Sequence, residues 1–205
     1  CDKYRITLLS NRKEVKPFLP GKRGDEERFY TKRDIQNMIP YLRLKNNEGY
    51  GISITPMDDN AYYVLLDDAK ISPERINEIG LEPCLIQKTS PNSVQAVFKL
   101  PRNLDRQDVI KVFNRLNRTA GDPKMTGLRH PFRLAGFKNT KEKHLQPDGK
   151  RPFVTVEFTS NRFSQTLARQ CSVAPIHEEV QNELYETLEA AVAAESRNNK
   201  MRGPS

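Results

Sequence analysis

The chain has 205 residues, 36% of them hydrophobic, which is enough apolar content for one globular domain with an appendage. Its 34 lysines and arginines against 26 aspartates and glutamates give a formal net charge of +8, which favours a polyanionic partner. No apolar stretch approaches the ~20 residues that span a bilayer, and no amino-terminal signal sequence is present, so no membrane partner is predicted.

The three cysteines, Cys1, Cys84 and Cys171, are odd in number and far apart in the sequence. This spacing fits neither a zinc-ligand cluster nor a disulfide framework, and it is typical of a protein of the reducing cytoplasm. The three histidines are also too few for a zinc site or for the paired-histidine metal site of a nicking endonuclease. The start at Cys1 rather than at a methionine predicts a segment of a longer protein.

The first hundred residues alternate short apolar strands with helices. Thr31 can cap a helix together with Asp34, and Pro40 should bend that helix or begin a second one. The apolar face of the helix is predicted to consist of Ile35, Met38, Ile39 and Leu42. Strands are predicted at 4–9, 51–55, 62–66, 84–87 and 94–100, with an irregular segment at 11–28 and a helix between Ser72 and Gly80. The second and third of these strands should form one hairpin, and the last two another.

Helical spacing returns at 104–119, and an alternating strand follows at 153–158. Beyond Pro175 a polar segment predicts an amphipathic helix that packs on its own domain or on the next, through Ile176, Val180, Leu184 and Leu188. The final residues, 196–205, are expected to be disordered. The pattern predicts an α+β fold with a mainly antiparallel sheet flanked by helices, as one domain at 1–172 and a carboxyl-terminal helix and tail at 173–205.

Two adjacent carboxylates, Asp67 and Asp68, follow the apolar run Tyr62–Leu66. A buried strand has little use for two unpaired charges unless it delivers them to its end, where they can hold a divalent cation that also binds substrate phosphates. This arrangement points to metal-assisted phosphoryl chemistry on nucleic acid. The alternative is a surface turn that stops the strand.

A second cluster lies at 121–141, where cationic and amide side chains alternate with Phe132 and Phe137. Donors for phosphate oxygens beside rings that can stack on bases suit a strand of nucleic acid. In the alternative interpretation, the phenylalanines belong to the core and the cations merely surround them. The candidate contacts are Arg129, His130, Arg133, Lys138, Asn139 and Lys141.

Four separate segments, in order and spacing, carry a family resemblance. They are NNEGYGISI at 46–54, VLLDD at 64–68, PCLIQKTSPNSVQA at 83–96, and GD at 121–122 with RLAGFKNTK at 133–141. The chain resembles the RepB-type DNA primases of mobilisable plasmids, a divergent branch related to archaeo-eukaryotic primases that is sometimes fused to relaxases. The resemblance covers roughly residues 30–145.

The resemblance implies a primase/RRM-like catalytic core that synthesises short primers on single-stranded DNA in plasmid or mobile-element replication. Asp67, Asp68 and Asp122 would be the catalytic and metal-binding carboxylates for two Mg²⁺ or Mn²⁺ ions, and Thr89 and Ser90 would shape the nucleotide pocket. The basic candidates at 129–141 would bind triphosphate or template phosphates. The implied partners are a single-stranded DNA template, nucleoside triphosphates, and a replicative helicase or a fused relaxase domain.

The sequence departs from the wider primase pattern in two ways. Related enzymes often space the first two carboxylates by one residue, which keeps both on one strand face, whereas neighbours such as Asp67 and Asp68 point oppositely on a regular strand. Both can reach one site only if the pleat ends or twists at Asp68. The serine-x-histidine element of many such primases is also missing, because Gln95 follows the turn where a histidine would be expected.

Two other functions remain open from the residues alone. The chain could be a non-catalytic single-stranded-DNA-binding module of a relaxase or replication initiator, since its charge and aromatic content would be the same. It could also be a metal-dependent nuclease that uses the same carboxylates. Metal-dependent nucleotide incorporation separates the first alternative from a primase, and the direction of the change in product length separates the second.

Overall fold

A computed structural model describes residues 1–10, 16–21, 27–172 and 178–201, the side chains of 178–181 excepted. The described residues form strands and helices in the order β1 Tyr4–Ser10, α1 Lys32–Asn47, β2 Tyr50–Pro56, β3 Ala61–Leu66, α2 Pro73–Glu78, β4 Leu85–Ser90, β5 Ser93–Pro101, α3 Arg106–Ala120, β6 Phe132–Arg133, a 3₁₀ turn Glu142–His144, β7 Thr155–Thr159, α4 Gln165–Ser172 and α5 Glu178–Met201. They divide into two compact units. The first comprises 1–60, 88–92 and 129–156, and the second comprises 61–87, 93–128 and 157–205.

The first unit is built on a three-stranded sheet in the order β1-β2-β6. Strands β1 and β2 pair antiparallel along their whole length, from Tyr4 opposite Pro56 to Ser10 opposite Tyr50. The short strand β6, which the sequence did not predict, extends the sheet by pairing Arg133 with Ser53. Branched and apolar side chains are buried on this sheet and on α1, including Ile6, Leu8, Leu42 and Ile52.

Helix α1 begins as the sequence predicts. The Thr31 hydroxyl accepts from the Asp34 main-chain nitrogen, and the Asp34 carboxylate accepts in return from the Thr31 nitrogen, which completes a capping box. The expectation of a second helix from Pro40 is wrong, because a single α-helix runs through Pro40 to Asn47. A bend at Pro40 stays a prediction. Buried Leu42 and Asn46 hold the turns that follow the proline.

A four-stranded sheet, in the order β3-β5-β4-β7, forms the centre of the second unit. The boundary between the units falls within β4 and within β7. Strand β3 pairs antiparallel with β5, from Ala61 opposite Pro101 to Leu66 opposite Ala96. Strands β4 and β5 are sheet neighbours joined by residues 91–92, which confirms the predicted hairpin. The other predicted hairpin is wrong. Strands β2 and β3 lie in different sheets, because β1 and β6 occupy the two edges of β2.

Helices α3, α4 and α5 all belong to the second unit. Asp105 caps α3, and its buried face, Val109, Val112, Phe113, Leu116 and Ala120, matches the predicted helix. Helix α4 was not predicted from the sequence. The predicted tail helix exists as α5, and it contacts α3 of its own unit. Among the side chains of α5 that the structure describes, Tyr185, Leu188 and Ala191 are buried. Of the predicted face, Leu188 is fully buried and Leu184 is half-buried.

Two further predictions concern the two ends of the tail, residues 173–205. Ile176 and the side chain of Val180 lie outside the described residues. Helix α5 continues to Met201, so the expectation of disorder from residue 196 is wrong up to that point. The Arg115 guanidinium, 3.9 Å from the centroid of the Tyr185 ring, fixes α5 on α3.

The predicted fold class is confirmed as α+β with antiparallel sheets flanked by helices. Within the described ranges, each helix is too short or too polar to span a membrane. All three cysteines are free. Burial raises the pKa of the Cys84 thiol to about 11 and that of Cys171 to about 12, so both thiols are protonated and unreactive near neutral pH.

Candidate functional site

The two adjacent carboxylates lie directly beyond the end of β3. Asp67 follows the last strand residue, Leu66, and Asp68 has a φ of +45°, in the left-handed region that an L-residue seldom adopts. Aspartate tolerates this conformation better than most residues. The regular pleat has therefore ended before Asp68, and the strand alternation that would point the two carboxylates to opposite faces does not apply.

Helix α3 holds this strand end through a buried amide. Asn117, which is fully buried, donates from Nδ2 to the Leu65 carbonyl at 2.7 Å and accepts at Oδ1 from the Asp67 nitrogen at 3.1 Å. The amide thus satisfies two main-chain groups, one within β3 and one directly after it. Because α3 is packed into the core, the position of Asp67 is fixed by the fold.

The third aspartate, Asp122, meets this strand end through its main chain, directly after Gly121, which ends α3. A Cβ at Gly121 would lie 2.7 Å from Asn117 Oδ1, 2.7 Å from the Leu66 side chain and 2.8 Å from the Asp67 carbonyl. Only glycine permits this approach of the helix end to β3. The next residue, Asp122, then donates its main-chain N–H to the Asp67 carbonyl at 2.8 Å. Residues 55 positions apart in sequence are thereby brought into direct contact.

Polar side chains from β5 orient the carboxylates. Gln95 Nε2 donates to Asp67 Oδ1 at 2.7 Å, and Gln95 Oε1 in turn accepts from Gln87 Nε2 of β4 at 2.8 Å. The Ser93 hydroxyl donates to Asp68 Oδ1. Gln87, Ser93 and Gln95 are all buried. Hydrogen bonds from buried donors restrict the rotation of each carboxylate.

The oxygen atoms of Asp67, Asp68 and Asp122 are the predicted ligands of Mg²⁺ or Mn²⁺. Carboxylate oxygens are the ligands that Mg²⁺ and Mn²⁺ prefer. Within the described ranges, no three side chains of His, Cys, Asp or Glu are grouped closely enough to hold a metal ion by themselves. Mg²⁺ is usually bound through one or two carboxylates plus waters and substrate phosphates. The residues present therefore fit a site that one or two carboxylates hold and that waters and substrate phosphates complete, and they do not fit an all-protein cage.

All the predicted phosphate-binding residues lie in the first unit. Arg133 is buried in β6, with its guanidinium next to Gly51. Asn139 is buried too, and its Nδ2 donates to the Thr89 carbonyl at 2.6 Å, so it fastens the turn that carries Thr89 and Ser90. Asn139 therefore holds the end of β4, where Thr89 and Ser90 lie.

The remaining candidates are more accessible. Arg129 and Lys141 are exposed, and His130 and Lys138 are half-buried. The two units differ in charge: the first has 20 Lys and Arg against 11 Asp and Glu, a net of +9, and the second has 14 against 15, a net of −1. The whole positive excess of the chain is therefore in the unit that holds the predicted phosphate contacts.

Several residues at the carboxylates were missed by sequence reasoning. Asn117, Ser93 and Gln87 carried no signal, because a buried polar side chain in a strand or helix is recognised only when its partner is known. Gln95 was noticed as a departure from the primase pattern, and the structure gives it a definite contact, the Asp67 carboxylate. Its place two residues after Ser93 was the signal that could have found it.

The sequence is similar to those of known DNA primases and of a mobilization protein. The model of the RepB DNA-primase N-terminal domain matches residues 18–173. A DNA primase of Acidithiobacillus ferrooxidans is 30% identical over 162 residues, which cover 75% of this chain and 46% of that protein. Mobilization protein A of Escherichia coli is 29% identical over 138 residues, 66% of this chain and 20% of that protein. The chain thus spans about half the length, or less, of these curated relatives.

Solved structures with a similar fold are primase domains. The catalytic domain of primase RepB′, crystallised with initiator DNA, superposes with a TM-score of 0.67 at 23% identity and covers 89% of this chain and 90% of that domain. The primase-polymerase domain of cyanophage S-2L gives 0.52 at 15% identity, covering 83% and 89%. These likenesses establish the fold, and together with the family match they confirm the resemblance found in the sequence.

Proposed function

The chain belongs to the RepB DNA-primase N-terminal domain family, and from that premise we propose that it synthesises short primers on single-stranded DNA during plasmid or mobile-element replication. The observation that carries this proposal is the hydrogen bond from the Asp122 main-chain nitrogen to the Asp67 carbonyl, which joins the two chain segments that contain the first and third aspartates of the family pattern. A polymerising site needs acidic groups from separate chain segments at one place, and Gly121 allows that here.

Asp67, Asp68 and Asp122 are the residues that would hold Mg²⁺ or Mn²⁺. When bound, such ions activate the attacking 3′-hydroxyl and neutralise charge on the phosphates and the leaving pyrophosphate. The chain's own contribution is orientation. Gln95 fixes the Asp67 carboxylate, Ser93 fixes that of Asp68, and the Lys124 main-chain nitrogen donates to Asp122 Oδ1 at 2.9 Å.

The substrates follow from the charge of the first unit. Its net +9 supports binding of a single-stranded DNA template and of nucleoside triphosphates. We assign the phosphate contacts to Arg129, His130, Arg133, Lys138, Asn139 and Lys141, and the shape of the nucleotide pocket to Thr89 and Ser90. The buried Asn139 acts through the Thr89 carbonyl. A fused relaxase domain or a replicative helicase is the proposed protein partner, and the cytoplasmic location stays a prediction.

The test is primer synthesis with labelled nucleotides on single-stranded origin templates, with Mg²⁺ and Mn²⁺ supplied in turn. The informative variant is Asp122→Asn, because its side-chain oxygen can still accept from Lys124 and the local turn is kept. We expect synthesis to be lost and DNA binding to be retained. Asp59→Asn, at an exposed aspartate of the first unit, is the matched control and should behave as the unmodified chain. Primer synthesis that survives in Asp122→Asn would contradict the assignment.

A non-catalytic DNA-binding module is the second candidate. It is favoured by one observation, that no three acidic, histidine or cysteine side chains within the described ranges are grouped as a metal site. If the unmodified chain binds single-stranded DNA but incorporates no nucleotide with either metal, this candidate replaces the primase. Shortening of labelled DNA instead of extension would identify a nuclease.

A further inference from the structure

A small pocket on the first unit combines an exposed ring with cations. Its volume is about 260 Å³, and its walls include Arg43 and Asn47 at the end of α1, Lys138 and Phe153. Phe153 is 55% exposed. No acidic residue is among the described residues that line it. Phe153 is thus a large aromatic side chain, half exposed to water, in a concave site that two cationic side chains also line. Such a site suits a ligand with both a flat apolar face and negative charge.

The pocket is held rigidly by the backbone around it. Asn46 donates to the Lys138 carbonyl at 3.0 Å and accepts from the Lys138 nitrogen at 2.8 Å, which ties this segment to the end of α1. Lys138 and Phe153 are paired across an antiparallel bridge, with main-chain bonds of 2.9 Å from Gly136 to Val154 and from Val154 to Phe137. The ring of Phe153 is therefore presented at a fixed place beside the Lys138 ammonium, 6.0 Å from its centroid.

We propose that this pocket binds one unpaired base of single-stranded DNA, stacked on Phe153, with the adjoining phosphate held by Arg43 and Lys138. Stacking on an aromatic side chain beside cations is the general means by which proteins hold single strands without reading their sequence. The net charge of +9 on this unit favours a polyanion over a protein segment. None of the residues that line the pocket belongs to the carboxylate site. The inference rests on the proposed action on single-stranded DNA.

The experiment measures binding of a dye-labelled oligothymidylate to the whole chain by fluorescence anisotropy, without metal or nucleotides. Phe153→Ala should raise the dissociation constant about fivefold to thirtyfold, and Phe153→Tyr should restore it, because tyrosine keeps the ring. Phe29→Ala is the matched control, since Phe29 is exposed to a similar extent, 42%, in the same unit but does not line the pocket. Its affinity should be unchanged.

A second oligonucleotide separates stacking from other effects. On an abasic strand of the same length, Phe153→Ala should bind as the unmodified chain does, because no base is present to stack. Equal weakening on both strands, or none on either, would overturn the proposal and leave the exposed ring to a protein partner. Arg43→Ala should lower the salt dependence of binding, and Arg33→Ala on the same helix should not. Binding is read without synthesis, so failure of the primase proposal would be seen separately.

Discussion

The first unit of this chain has a net charge of +9 and the second has −1, and the candidate residues divide in the same way. Every predicted phosphate contact is in the first unit, and Asp67, Asp68 and Asp122 are in the second. Because the two sets of candidate residues belong to different units, substitutions in one set can be tested apart from substitutions in the other.

The largest effect should come from Asp67→Asn in the second unit. Asparagine keeps an oxygen that accepts from Gln95 and from the Asp68 nitrogen but removes the charge. We expect primer synthesis to fall by more than about a hundredfold, as when one preorganised electrostatic group is removed from an active site. Affinity for single-stranded DNA, measured by anisotropy, should stay the same. A parallel loss of DNA binding would show that the two units do not divide the work as their charges suggest.

A large effect on stability is expected for Gly121→Ala, because the new Cβ would lie within 2.8 Å of three atoms of the β3 end and Asn117. Forcing a methyl group into such a contact costs about 1–3 kcal/mol. Gly80→Ala is the control: its φ of +71° brings conformational strain, but nothing lies within 4 Å of its Cβ. Thermal unfolding should show the larger loss for Gly121→Ala. Equal losses would mean that the close approach of α3 to β3 is not tight.

A moderate effect is expected for Gln95→Ala, which removes the donor to Asp67 Oδ1. Partners of this kind typically change metal affinity or activity by about tenfold to a hundredfold. The metal concentration for half-maximal synthesis should rise, which a purely structural loss would not produce. Gln87→Ala, one hydrogen bond further away, should give the same change to a smaller extent. An unchanged metal requirement in both variants would remove Gln95 from the site.

The smallest effect is expected in the first unit, for Lys141→Ala. Loss of one phosphate contact should reduce the slope of log affinity against log salt by about 0.7 for a single strand. Lys111→Ala is the control, because Lys111 is an exposed lysine of the second unit, paired with Asp108 at 2.8 Å. Its salt slope should not change. Equal changes in the two variants would mean that the charge of the first unit is not specifically engaged by DNA.

Local signals in the sequence were sufficient for most elements. Thr31 with Asp34, Ser72 with Pro73, and Gly121 mark helix ends that depend only on neighbouring residues, and the structure has all of them. Pairing between strands is not local. The spacing of β2 and β3 suggested a hairpin, but β1 and β6 pair with β2 from distant parts of the sequence. The two-residue strand β6 is too short to have a period of its own.

The carboxylates were predictable because they follow a strongly apolar strand, and Asp122 because it belongs to a family pattern. Their supports were not. Gln95 and Asn117 are buried polar residues whose partners lie 28 and 50 positions away, and a sequence alone does not say which buried amide meets which carboxylate. Strand β7 was predicted at 153–158 and runs from Thr155 to Thr159. It is an edge strand, and its Val156 and Phe158 are both exposed.

At Asp68 the backbone has a φ of +45°, in the left-handed region. Glycine would fit this conformation better, but it could not supply a carboxylate. Glycine adopts such a conformation without penalty, so Asp68→Gly relieves the backbone strain while it removes the side-chain contacts of Asp68, the Ser93 hydrogen bond among them. Selection for thermal stability alone would favour glycine at this position. The aspartate would then mark a position where natural selection has kept reactivity at the expense of robustness.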